Sequence, residues 1–158
     1  MRIKMEIRRA EIGDIPRITD LLLQVHKVHS DKRPDIFHRG SKKYTEDELR
    51  EIIADDERPI FTAVIDGRVE GYAFCIFQRH DDNSLEKFTT LYIDDLCVDQ
   101  NRRHEHIGTA LYKYVLDYAR ENSCHNVTLN VWECNESAMK FYRSLGLSVQ
   151  KTTLEQLL

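Results

Sequence analysis

Apolar side chains in the first third of the chain recur at three- and four-residue spacing. Ile15, Ile18, Leu21, Leu22, Val25 and Val28 fall on one stripe of a helix. Gly13 and Asp14 precede it, with Asp14 placed to cap and Pro16 in the first turn. Ahead of it, Ile7-Arg8-Arg9-Ala10 reads as a short opening strand. A polar stretch from Ser30 to Thr45 follows, where Pro34 and Gly40 block regular structure. Thr45-Glu46-Asp47-Glu48 is a capping box that opens a second helix running towards Ala54.

The period then changes. Pro59 to Ile65 is a strand, Asp66-Gly67 a hairpin turn, and Val69 to Phe77 the returning strand. A charged loop from His80 to Lys87 leads to a strand over Phe88–Val98. Ile107 to Asn122 is helical, with Ile107, Leu111, Tyr114, Val115 and Tyr118 on its apolar side. Val127 to Trp132 is a strand, and Asn135 to Leu145 a helix stopped by Gly146. A last strand is expected from Leu147. The order β-α-α-β-β-β-α-β-α-β combines a hairpin with a β-α-β crossover, so the expected fold is α/β with a mixed sheet. Residues 1–158 read as one domain, with 1–4 a short leader and Met5 an alternative start.

Composition narrows the function classes. Hydrophobic residues are 41% and charged residues 32%, ordinary for a globular protein, and the net charge of -4 lacks the basic footprint of a nucleic-acid binder. No apolar run approaches the roughly 20 residues of a membrane span, and the N-terminus is too soon charged again for a signal peptide. Cys75, Cys97, Cys124 and Cys134 form no C-x-x-C pair, so they read as reduced thiols of a cytoplasmic protein. Cys124, His125 and Cys134 match no zinc spacing, and no metal is expected.

Two stretches carry candidate chemistry. The first is a strand ending Ile93-Asp94-Asp95-Leu96-Cys97-Val98, a polar loop, and a helix beginning at Ile107-Gly108-Thr109. A helix N-terminus presents unpaired N–H groups and the positive end of its dipole, which favours an anion. Arg102, Arg103 and the Thr109 hydroxyl suit a pyrophosphate, although many such joints carry these residues only for capping and solubility. In the second stretch Asn135 caps a helix on which Ala138, Phe141, Tyr142 and Leu145 share a stripe. By periodicity alone Tyr142 is a core or rim aromatic.

Together the two stretches resemble the GNAT superfamily of N-acetyltransferases. Arg103 and Gly108 fill the first and last places of its acetyl-CoA motif, which reads Gln or Arg, two residues, Gly, one residue, Gly or Ala. Asn135, Ala138, Phe141, Tyr142, Leu145, Gly146 and Leu147 match a second family segment in register. The resemblance implies a mostly antiparallel sheet splayed between two parallel strands, Phe88–Val98 and Val127–Trp132, with helices on both faces. Acetyl-CoA would lie in that gap. Backbone groups of Leu96, Cys97 and Val98 would pair with pantetheine like an added strand. Amides of Arg103, His104, Glu105, His106, Ile107, Gly108 and Thr109 would cradle the pyrophosphate, with Asn135, Ala138 and Tyr142 along the arm. One departure stands out, because His106 replaces the middle glycine; if φ there is positive, it costs about 1–2 kcal/mol.

An alkyl amine has a pKa near ~10.4, so about one molecule in a few thousand is nucleophilic at pH 7. The reaction therefore calls for a carboxylate beside the amine and an acid for the leaving thiolate. The resemblance gives the acid's place to Tyr142. For the base, the position aligned with a glutamate of some relatives is Asn130, which cannot act, leaving Asp94, then Asp95 and Glu133. The run around Asp94 is similar to the Leu-Glu-Asp-Phe-Phe-Val type run of polyamine acetyltransferases. Alternation puts Asp94 and Asp95 on opposite faces unless a bulge intervenes. His26, His29 and His38 fall where the family shapes its acceptor pocket, without assigned roles. The acceptor is a small-molecule amine or a peptide amine, and a homodimer is common among similar proteins. A CoA-binding or regulatory module without catalysis, and a protein N-terminal or lysine acetyltransferase, remain open alternatives.

Overall fold

The computed structural model describes residues 4–158, so the supposed leader lies outside the described residues apart from Lys4. Five strands form one sheet in the order β1 to β5: β1 Met5–Arg9, β2 Ile60–Ile65, β3 Arg68–His80, β4 Phe88–Val98 and β5 Asn126–Leu129. The first four pair antiparallel, and β4 and β5 pair parallel through the crossover helix α3, Ile107–Glu121. Helices α1, Ile15–Lys32, and α2, Glu46–Ile53, precede β2, while α4, Glu136–Ser144, follows β5.

Periodicity explains the layering. Ile15, Ile18, Leu21 and Leu22 of α1, with Leu49 and Ile52 of α2, pack on Ile60, Tyr72 and Phe74 on one face of the sheet. Ile107, Leu111, Tyr112 and Val115 of α3 cover Phe61, Ala63, Ala73, Cys75, Leu91 and Ile93 on the other. Each such buried aliphatic contributes about 1.5–3 kcal/mol relative to exposure. The capping box forms as expected, Thr45 accepting from Glu48 N–H and Glu48 from Thr45 N–H. Asp66 and Gly67 both take positive φ in the tight β2–β3 turn, the geometry a two-residue hairpin requires.

Several boundaries differ from the sequence expectation: β1 starts earlier, at Met5, and β3 runs on from Phe77 to His80. Helix α1 runs through Ser30 to Lys32 before Arg33 leaves helical geometry. Strand β5 ends at Leu129 instead of Trp132, because β4 has turned away from it there. The strand expected from Leu147 does not form. Residues 147–158 follow Gly146, at φ +94°, and pair with no strand; Glu155 ties them to Arg33 at 2.7 Å. Val149 and Leu154 are exposed, so the weak alternation from Leu147 has no buried face to serve.

Candidate active site

The site begins with an irregularity in β4. Cys75 faces Ile93 and Phe74 faces Asp95, so Asp94 is the extra residue of a β-bulge. Parallel pairing with β5 runs from Thr90–Asn126 to Ile93–Leu129 and stops at the same point. Beyond it, Asp94 to Val98 are held by β3 on one side and by no described strand on the other. A bulge bends its strand and increases the local twist, which accounts for the two parallel strands parting here. The result is a gap whose wall is a row of backbone groups seeking partners.

The same bulge brings the two aspartates to one face. Asp94 receives Lys43 Nζ at 2.9 Å and the Tyr44 hydroxyl, while Asp95 receives the Tyr72 hydroxyl at 2.8 Å. Tyr44 and Tyr72 both pack in the α1–α2 layer, Tyr44 stacking on Phe74 at 5.4 Å. Burial raises the Asp95 carboxyl to about 6, against the opposing hydrogen bond from Tyr72. Leu96 and Val98 lie instead against the α3 layer, and Cys97 is buried with its thiol pushed up to about 12. Glu133 is elsewhere. It is exposed and lines a separate cavity of about 310 Å³ with Glu136, Met139, Lys140 and Arg143.

Past the strand, Asp99 anchors the loop. It is buried, accepts from Asn101 N–H at 2.8 Å, Arg17 at 2.6 Å and Gln24 at 3.3 Å, and its backbone N–H bonds Glu70. Burial alone would raise its pKa, but Arg17 and the other donors hold it down to about 2. Buried Glu70 in turn meets Arg17, Arg68 and Arg102 at 3.3–3.7 Å. Arg102 is thus engaged within the protein, whereas Arg103, His104, Glu105 and His106 are exposed. His104 and His106 take φ of +69° and +62°, so the position filled by His106 does require left-handed backbone. His106 is the N-cap of α3 and makes no side-chain cap, so the first N–H groups of the helix face outward. Gly108 is needed for packing, since a Cβ there would stand 3.1 Å from the Phe141 ring of α4.

That contact sets α4 beside α3. Asn135 caps α4, its Oδ1 accepting from Ala138 N–H at 3.3 Å and Ser137 Oγ at 3.2 Å, which leaves its Nδ2 donor unspent. Tyr142 follows Phe141 on the helix, partly buried. Burial first, and then the negative charge of Asp95, raise its phenol well above the usual range. The Asp95 carboxylate thus bears on the Tyr142 phenol, although 47 positions separate the two in sequence.

A family profile for the acetyltransferase (GNAT) family matches residues 22–147. The chain belongs to that family. Among GNAT relatives, an uncharacterised N-acetyltransferase of Methanocaldococcus jannaschii is 29% identical over 71% of this chain and 49% of its own length. A thialysine N-epsilon-acetyltransferase of Bos taurus is 26% identical over 89% of this chain and 81% of its own. A protein of Bacillus halodurans, solved as a crystal structure of a variant, superposes with a TM-score of 0.93 at 27% identity, covering 97% of this chain and 99% of its own. The chain spans about half to three-fifths of the length of the first curated relatives it matches.

Within this GNAT domain, sequence reasoning missed the residues that hold the others. Lys43, Tyr44 and Tyr72 are the donors to the aspartate pair, and Arg17, Glu70 and Asp99 fix the loop before α3. Only Glu70 carried a signal, a carboxylate within an apolar strand. His29 stacks on Phe37 at 5.0 Å, and Phe37 meets Trp132 edge-on at 5.3 Å, linking the α1–α2 segment to the far side of the gap. Burial lowers the His29 pKa, with His26 and Lys43 adding to it. Among the described residues no helix is long and apolar enough to cross a membrane, and no group of three or more His, Cys, Asp or Glu side chains is placed to hold a metal.

Proposed function

We propose that this chain is an acetyl-CoA-dependent N-acetyltransferase that moves an acetyl group onto a primary amine by direct attack in a ternary complex. The observation that carries the reading is the gap between β4 and β5, which opens at the bulge bearing Asp94 and Asp95 and is followed by a helix N-terminus without a side-chain cap. Backbone groups of Leu96, Cys97 and Val98 would pair with the pantetheine arm of acetyl-CoA, and Asn135 would offer its free amide donor. The exposed loop from Arg103 and the α3 N-terminus suit the pyrophosphate by charge and by outward N–H groups.

Freeing an alkyl amine at neutral pH costs on the order of 4–5 kcal/mol. A carboxylate titrating near neutrality can take that proton, and Asp95 fits this better than Asp94, which is already engaged by Lys43 and Tyr44. Asp94 would then hold the positive charge of an arriving ammonium. Tyr142, kept protonated by its surroundings, would donate to the departing thiolate. The name of the bovine relative supports an alkyl amine of amino-acid size as acceptor.

CoA release from acetyl-CoA, followed with a thiol reagent across polyamines, amino acids including thialysine, aminoglycosides and N-terminal peptides, tests this. Turnover with one class supports the reading and names the acceptor. Acetyl-CoA binding without turnover on any of them would leave a CoA-binding module instead.

A further inference from the structure

Lys43 stands where an acceptor amine is expected. Its Nζ is 2.9 Å from Asp94 Oδ1 and 3.2 Å from the Asp94 carbonyl, on the bulge at which β4 and β5 part. The arrangement is anchored on both sides. Tyr44, the next residue, donates to the other oxygen of Asp94 and stacks on Phe74, and Thr45 then caps α2. Lys43 nonetheless keeps 43% of its side chain exposed, so the ammonium is held at the mouth of the gap and is not locked inside.

We propose that Lys43 is a site of self-acetylation, its ε-amine acting as an internal acceptor for acetyl-CoA. The inference rests on the acetyltransferase reading above. The ammonium first gives one proton to the carboxylate pair and then on to water. The freed Nζ forms a bond to the thioester carbonyl carbon, and the carbon–sulfur bond breaks with its electron pair leaving on sulfur. The second proton leaves the nitrogen, and Tyr142 protonates the thiolate and is reprotonated from solvent. The products are Nε-acetyl-lysine at position 43, free CoA and one proton. Acetylation removes the charge that pairs with Asp94, leaving that carboxylate free for a cationic acceptor.

Lys27 supplies an internal control. It is also paired with an aspartate, Asp31, at 2.8 Å, and its side chain is 76% exposed. Non-enzymatic acetylation follows exposure and would favour Lys27. The experiment incubates the purified chain with acetyl-CoA alone and follows both positions by peptide mass spectrometry, with a free-amine turnover assay run on the same preparation. Lys43 is expected to be modified at least ~10-fold faster than Lys27, a small part of what positioned proton transfer can supply. Lys27 keeping pace with Lys43 overturns the proposal. Free amines acetylated while Lys43 stays unmodified overturn it and leave the acetyltransferase reading standing; no acetylation of either removes both.

Discussion

At the residue scale, two carboxylates adjacent in sequence occupy different chemical situations on one face. Asp94 is spent on an ammonium and a phenol, whereas Asp95 is half-buried beside the Tyr72 phenol, and desolvation pushes its carboxyl up to about 6. Its folded pKa is raised above the unfolded value, so ionised Asp95 opposes folding as pH rises from about 4 through 6. Asp95→Asn is therefore expected to stabilise the protein at pH 7–8 by on the order of 2 kcal/mol, and not below pH ~4, in denaturant titrations at both pH values. The same variant should lose the rising limb of kcat/KM near pH 6, with the rate lower by roughly 10²–10⁴. Stabilisation with an intact limb would return the base to Asp94. Tyr142→Phe, which removes the proposed acid and little volume, should lower kcat by a similar roughly 10²–10⁴ while acetyl-CoA affinity holds.

Single elements are positioned by backbone irregularities. The bulge at Asp94 ends the β4–β5 pairing and puts both aspartates on one face; left-handed residues at His104 and His106 lead the chain into α3. His106 adopts φ +62° without glycine's freedom, and its side chain makes no compensating cap. His106→Gly is expected to stabilise the fold by roughly 0.5–1 kcal/mol, read as a higher Tm, after allowing for glycine's greater unfolded entropy. Acetyl-CoA affinity measured by calorimetry on that variant separates two roles. Unchanged affinity means that the backbone alone binds the phosphates, and a loss means that the imidazole takes part.

Across the whole molecule, the two sides of the gap are tied by contacts between distant segments. Phe37 meets Trp132, Lys32 donates to the Cys134 carbonyl at 2.5 Å, and Arg33 pairs with Glu155. These connect the α1–α2 segment to the β5–α4 half, where the proposed acceptor pocket would lie. Phe37→Ala removes an aromatic pair of about 0.5–1.5 kcal/mol and should raise the acceptor KM by about 3- to 10-fold. Acetyl-CoA affinity should stay as it was, because its proposed contacts lie on β4, α3 and α4. A parallel loss of both would place Phe37 in general stability instead of acceptor binding.

Much of this was readable before any coordinates. The stripe from Ile15 to Leu22, the Thr45–Glu48 box, the Asp66-Gly67 turn, the bounds of β4, the Asn135 cap and the stop at Gly146 all follow from interactions within a few residues. So does the match of Asn135 to Leu147, because a helix fixes the relative places of its own side chains. Other features depend on what a segment meets. Whether Asp94 and Asp95 share a face turned on one extra residue against β3. Whether Val127–Trp132 stays a strand to its end, and whether Leu147 begins another, turned on a neighbouring edge being there to pair. The donors to the aspartates come from positions 23 to 51 residues away, brought close by packing. Hydrophobic period and capping are local energies written along the chain. Register, bulge and the partners of a buried charge are set by chain segments distant in sequence, and they exist only once the sheet and its two helical layers have closed around them.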